Sequence, residues 1–237
     1  MSKLSFRSLF TVGILVVLSV SSVFSTTRLD FDGDGKADIS VYRPSNGTWY
    51  FSLSSLGFRY RQYGTATDKP TPADYDGDGK TDIALFRPAN GTWYMIHSET
   101  GSFAVRAFGQ NGDISVPADY DGDGRADFAV VRPSNTVWYT TTIPIPEVTI
   151  FQPLTDKPLV GDFDGNGRAD FAFYNEFAGV WLLRGMWESP FSIVNWGEPG
   201  DIPVPADYDG DGKTDIAVYR PAAGLWYFNN SNAGLSK

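Results

Sequence analysis

Asp74-Tyr75-Asp76-Gly77-Asp78-Gly79-Lys80-Thr81-Asp82 is one of five copies of a nine-residue pattern, Asp-aromatic-Asp-Gly-Asp/Asn-Gly-basic-small-Asp. The copies start at Asp30, Asp74, Asp119, Asp162 and Asp207, so they are spaced by 44, 45, 43 and 45 residues. A tryptophan follows each start by nineteen residues, at Trp49, Trp93, Trp138, Trp181 and Trp226. An Arg-Pro pair recurs at Arg43, Arg87, Arg132 and Arg220, while the fourth unit has Asn175-Glu176 there. Self-similarity at this period marks a chain assembled from one repeated supersecondary unit.

Working outward from the second copy, four short extended segments make up a unit. Pro70 to Asp74 leads into the loop, Asp82 to Phe86 is apolar on both faces, and Thr92 to Ile96 and Phe103 to Phe108 follow. Asn46-Gly47 and Asn90-Gly91 join the second and third segments, where a tight primed turn is expected. Four strands repeated every ~40–50 residues is the pattern of a propeller blade. The expected fold is therefore all-β, a β-propeller of five four-stranded blades, with an open stack of β-hairpin units as the alternative. The units fall at about 26–64, 65–109, 110–152, 153–197 and 198–237. The last leaves few residues for its outer strand, so closure there is expected to be imperfect.

All 23 aspartates occupy repeat-fixed positions, either in the loops or six residues before them at Asp68, Asp113, Asp156 and Asp201. The five glutamates, Glu99, Glu147, Glu176, Glu188 and Glu198, do not. Carboxylates at loop positions 1, 3, 5 and 9, with glycines at 4 and 6, turn alternate side chains around one point. That suits Ca²⁺, which takes six to eight oxygens at ~2.3–2.6 Å. The expected ligand sets are Asp30, Asp32, Asp34 and Asp38; Asp74, Asp76, Asp78 and Asp82; Asp119, Asp121, Asp123 and Asp127; Asp162, Asp164, Asn166 and Asp170; and Asp207, Asp209, Asp211 and Asp215. The position-7 backbone carbonyls of Lys36, Lys80, Arg125, Arg168 and Lys213 would complete them, with the basic side chains pointing away. The competing reading treats these segments as plain turns whose aspartates cap their own backbone. Four clustered carboxylates in each of five copies weigh against it, because unneutralised carboxylates at such separations repel strongly.

The stretch Asp-Tyr-Asp-Gly-Asp-Gly-Lys-Thr-Asp-Ile-Ala at Asp74, preceded by Tyr63-Gly64 and Pro72-Ala73, resembles the FG-GAP and VCBS repeat families. The resemblance extends over nearly all of the chain after residue 25. It implies calcium-binding propeller blades of the kind found in integrin α-chains, fungal lectins and many bacterial secreted proteins; it does not fix a ligand.

Composition agrees with an exported metalloprotein. Lys3 and Arg7, an apolar run from Leu9 to Val20 and small polar residues to Thr27 follow secretory-signal grammar, with cleavage expected after Ser25, Val23 standing two residues before it. The chain lacks cysteine, which excludes disulfides, thiolate metal sites and cysteine nucleophiles. The net charge of -9 becomes -11 once Lys3 and Arg7 are removed, and five Ca²⁺ would bring it to about -1. Nucleic acid is a poor partner for such a chain, and no membrane insertion is expected after signal cleavage.

The expected activity is that of an extracellular recognition or adhesion module for a glycan or protein, with a purely structural domain or a polysaccharide-active enzyme as alternatives. An enzyme is not expected. His97 stands alone, without a repeat counterpart, and reads as an incidental strand residue; no glutamate sits in a catalytic setting. The five tryptophans read as inter-blade core or, with a nearby arginine such as Arg43, as repeated sugar-stacking sites whose weak affinities would combine.

Overall fold

The computed structural model describes residues 29–141, 147–149, 156–185, 192–231 and 234–236. The expected signal segment, with its cleavage site, lies outside the described residues, as does Glu188.

Among the described residues nineteen strands form five antiparallel sheets, each from consecutive strands. The first contains β1 (Ile39–Arg43), β2 (Thr48–Leu53) and β3 (Gly57–Gln62); the second, β4 (Lys69–Pro70), β5 (Ile83–Arg87), β6 (Thr92–Ile96) and β7 (Phe103–Ala107). The third contains β8 (Ile114–Ser115), β9 (Ala129–Arg132), β10 (Val137–Thr140) and β11 (Glu147–Thr149). The fourth contains β12 (Lys157–Gly161), β13 (Asp170–Asn175), β14 (Val180–Arg184) and β15 (Ser192–Asn195), and the fifth β16 (Ile202–Pro203), β17 (Ile216–Arg220), β18 (Leu225–Asn230) and β19 (Gly234–Ser236). The place of a fourth strand in the first sheet falls within residues 1–28, outside the described residues. In the fifth sheet the short C-terminal stretch does supply the outer strand, β19 pairing with β18. Among the described residues the single helical turn is Pro44–Asn46.

Apolar residues on both faces of β5 are explained by what lies on either side. Leu85 packs with Trp49 and Phe51 of the first sheet, whereas Ala84 and Phe86 pack with Trp93, Met95 and Val130 on the side of the third. The pattern repeats down the chain. Val130 reaches back to the second sheet's cluster, Phe171 and Phe173 to Trp138 of the third, and Ile216 and Val218 to Trp181 of the fourth. Each hydrophobic cluster therefore straddles two successive sheets, and each central tryptophan is the residue against which the following sheet closes.

The Asn-Gly turns differ from expectation. Pro44–Asn46 form a 3₁₀ turn and Gly47 takes the left-handed conformation, φ 62°. Thr136 is the sole non-glycine with positive φ among the described residues, so Asn46 and Asn90 are not left-handed and the turn is not of the primed type. Proline fixes φ near −65° directly after the strand, which favours a right-handed turn closed by one left-handed residue. Glycine suits that residue doubly, since a Cβ on Gly91 would collide with the backbone of Gly109. Thr136 occupies the same place in the third unit with φ 57°. A β-branched residue is strained there, so Thr136→Gly is expected to raise stability by about 1 kcal/mol, read as a shift in urea midpoint; an unchanged or lower midpoint would show that the turn is not strained.

Candidate functional site

Three of the nine-residue loops are closed at the base by an antiparallel bridge, Ala73 to Asp82, Ala118 to Asp127 and Ala206 to Asp215, and the fourth by the Gly161–Asp170 pair of β12 and β13. The position-1 aspartate organises the turn. Asp74 Oδ1 accepts the Gly77 amide at 2.6 Å and its Oδ2 the Gly79 amide at 2.8 Å. Asp30, Asp119, Asp162 and Asp207 each accept the same two amides in their own loops. To aim those N–H groups inward, the glycines at positions 4 and 6 all take φ near +80°, as at Gly77 (80°) and Gly79 (83°). The position-9 aspartate accepts the amide of the position-2 aromatic, Tyr75 to Asp82 at 3.0 Å and Tyr120 to Asp127 at 2.9 Å. Position 5 accepts the position-7 amide, as Lys80 to Asp78 at 2.8 Å.

Self-capping thus describes position 1, and it leaves oxygens over elsewhere. Carboxylates of Asp30, Asp32 and Asp38, of Asp74, Asp76 and Asp78, of Asp119, Asp121 and Asp127, and of Asp162, Asp164 and Asp170 bring oxygens within 4.8 Å of one another. Asp32 Oδ1 and Asp170 Oδ1 are buried with no hydrogen-bond partner, although Asp170 is only 2% exposed. Burial, followed by the neighbouring carboxylates, pushes Asp127 and Asp170 up to about 7 and raises Asp82. A divalent cation among these oxygens would supply the missing partner and relieve both effects, so the donor set fits the Ca²⁺ expected from the sequence. In the fourth loop Asn166 supplies an amide in place of a carboxylate and donates to Asp164 at 2.8 Å.

Three contributors to these loops escape a reading by motif. Ser54, Ser98 and Ser231 stand at one offset from their loop starts. Each hydroxyl donates to the position-5 aspartate and each amide to the position-9 aspartate, as in Ser98 to Asp78 at 2.7 Å and to Asp82 at 2.6 Å. Hydroxyl donation holds Asp34 and Asp211 below the usual carboxylate range. The three serines recur at fixed spacing, which is the signal that would have revealed them. His97 is not incidental, as its solitary position suggested: it directly follows β6 with Nδ1 3.2 Å from Asp82 and 3.5 Å from Asp76.

The position-7 basic side chains lie across the loop of the preceding unit. Lys80 covers Gly33, Arg125 covers Gly77, Arg168 covers Gly122 and Lys213 covers Gly165, each close enough that a Cβ on the glycine would collide or crowd. Position-8 amides cross the same boundary, with Thr81, Ala126, Ala169 and Thr214 donating to the carbonyls of Asp30, Asp74, Asp119 and Asp162 at 2.7–2.8 Å.

Arginines of the Arg-Pro pairs are structural. Arg87, Arg132 and Arg220 form two-pronged bonds with the buried carboxylates of Asp68, Asp113 and Asp201. Burial opposes the charge on Asp68, but these bonds hold it below its usual range. In the fourth unit Asn175 takes over, donating to Asp156 at 2.7 Å. Among the described residues Arg43 has no carboxylate partner; it donates to the Tyr50 hydroxyl and lies over that ring.

Sugar stacking by the repeated tryptophans is corrected by their burial. Trp49, Trp93, Trp138 and Trp181 are at most 1% exposed, with their faces against the next sheet, whereas Trp226 is 46% exposed. Other exposed aromatics include Phe58 and Tyr60 on the outer strand β3 and Phe103 on the outer strand β7. Tyr60, Arg59 and Arg61 line a groove of about 270 Å³ between the first two sheets, whose other wall includes Ile96, His97 and Ser98.

Solved structures similar to this chain include a streptogramin B lyase, at 12% identity and TM-score 0.55, with 86% of this chain and 65% of that one covered. A virginiamycin B lyase from Staphylococcus aureus matches at 12% identity and TM-score 0.54, covering 84% and 65%. A lectin from Agrocybe aegerita, described for recognition of non-reducing terminal N-acetylglucosamine, matches at 17% and 0.53, covering 84% and 61%. The chain spans less than two thirds of each, and identities this low convey the fold alone, a propeller-like all-β architecture. The expectation that the chain is not an enzyme is corrected by these neighbours: two are lyases and one a lectin, so the architecture is shared by catalysts and binders alike. No curated protein matches the chain by sequence. An FG-GAP-like repeat model matches residues 30–85 and 74–130, and an FG-GAP repeat model matches residues 200–236. Together these matches take in more than half of the chain and four of its five Asp-rich loops, and the chain belongs to the FG-GAP-like repeat family.

Proposed function

We propose that this chain is a secreted, calcium-binding repeat protein that acts as an extracellular recognition module with lectin-like capacity, its five sheets serving as four-stranded blades of a β-propeller. Support for export comes from the basic, apolar and small-residue order of residues 1–27. Calcium is favoured over a bare turn by the orphaned oxygens of Asp32 and Asp170. The glycan or protein ligand would meet exposed aromatic and guanidinium groups, which stack on and donate to hydroxylated surfaces.

One observation links metal to recognition. Ser98 and His97 form a wall of the groove beside Tyr60 and Arg61, and the same two residues are held by Asp78 and Asp82 of the second loop. An ion in that loop fixes the carboxylates and, through them, the groove wall; removing it leaves the wall to follow four repelling charges.

A glycan array probed with and without calcium tests this reading. Signal for one sugar class, lost in chelator and weakened at least tenfold by Tyr60→Ala, is the expected result. A blank array in both conditions would sink the lectin-like part, and binding indifferent to calcium would sever the link through Ser98 and His97.

A further inference from the structure

The four boundaries between successive sheets are made alike, and their parts recur on the first and fifth sheets without a counterpart among the described residues. At an internal boundary the earlier sheet offers its tryptophan and position-2 aromatic. The later sheet covers them with a side chain such as Phe128, 5.4 Å from Trp93 and 5.2 Å from Tyr75. Phe171 does the same, 4.9 Å from Trp138 and 5.5 Å from Tyr120. In the fifth sheet Trp226 is 46% and Tyr208 41% exposed; in the first sheet the covering residues Ile39 and Val41 are 72% and 51% exposed.

Polar parts of the boundary are divided the same way. Asp207 is the position-1 residue whose carbonyl would accept a position-8 amide, and Ala37 carries the position-8 amide with no preceding loop. Gly210 has open space where Gly33, Gly77, Gly122 and Gly165 meet a basic side chain. Lys36, the basic residue of the first loop, is 73% exposed. Repeat faces that meet solvent are ordinarily polar, and these two present apolar side chains.

We propose that the five blades stand as an open arc and that its two end faces are an interface for a second copy of this chain, joined head to tail, with Trp226 and Tyr208 of one copy covered by Ile39 and Val41 of the next. The internal boundaries identify the occupant, since the face that fits the fifth sheet is the one each sheet presents to its predecessor, and the first sheet presents it uncovered. Lys36 would then lie across Gly210, and the Ala37 amide would donate to the Asp207 carbonyl. Such an interface is heterologous, and it propagates into a ring or a filament according to the rotation between copies.

Sedimentation of the purified protein in calcium should show a mass above the monomer that grows with concentration. Val41→Arg and Trp226→Arg should each sediment as monomers with unchanged circular dichroism, because both positions are exposed in the single chain. Mixed, the two variants should form a dimer and nothing larger, since one intact pair of faces remains. A wild-type monomer at high micromolar concentration overturns the proposal, whether its Trp226 fluorescence is solvent-exposed or shielded by closure within one chain. A mixture that stays monomeric overturns the head-to-tail arrangement. If Val41→Arg unfolds, Ile39→Lys replaces it, and if Trp226→Arg unfolds, Tyr208→Arg replaces that; the wild-type mass remains decisive.

Discussion

Transfer from calcium into excess chelator is expected to lower the melting midpoint by more than about 10 °C. Ions bound only to the native state stabilise it by about 2.7 kcal/mol per site at a hundredfold excess over Kd, and about 1 kcal/mol shifts a domain of this size by 2–4 °C. Several loops act at once, and the charge they gather is large against the formal -9 of the chain. The metal-free protein should also respond to pH in an uncommon direction. Asp127 and Asp170 titrate near 7 in the folded chain against 3.8 when unfolded, so between those values the native state holds more protons. Their contribution to stability is therefore full below 3.8 and is lost as pH rises to about 7. Calorimetry in chelator at several pH values reads both effects; a midpoint indifferent to calcium would remove the metal from the account.

Trp138→Ala should destabilise the protein by about 3–5 kcal/mol, because an indole with no exposed surface leaves a cavity between the third and fourth sheets. Its edge contacts with Phe171 at 4.9 Å and Phe173 at 5.7 Å go with it. Trp226→Ala at the same repeat position should cost under about 1 kcal/mol in the monomer, since nearly half of that ring already meets water. Urea midpoints of the two variants at low protein concentration make the comparison. Equal losses would mean that Trp226 is covered in solution.

Much of this architecture was legible in the sequence because the repeat averages away local ambiguity. One Asp-Gly loop is a turn like many others, but five at nearly constant spacing, each followed nineteen residues later by tryptophan, placed the last three strands of the second unit to within a residue at either end, whereas the first, read as Pro70 to Asp74, is only Lys69–Pro70. What escaped was contact between units. Lys80 reads as a solvated charge until Gly33 of the preceding loop is seen beneath it. The tryptophans read equally as ligand platforms until the next sheet is found against them. Ser98 and His97 were hidden for a different reason: each lies at least fifteen residues beyond the aspartates it serves, and neither residue type signals a role alone. The Asn-Gly turns were misread because the dipeptide was weighed without the proline two residues before it.

The amides of Thr81, Ala126, Ala169 and Thr214, each donated back to the preceding loop, tie the five loops in series. Loops linked this way behave as a one-dimensional array in which each site feels its neighbours' state. Occupancy would spread along the row instead of filling sites independently, giving a calcium titration steeper than a single-site curve. The outermost loops, with one neighbour each, would be the first to let go.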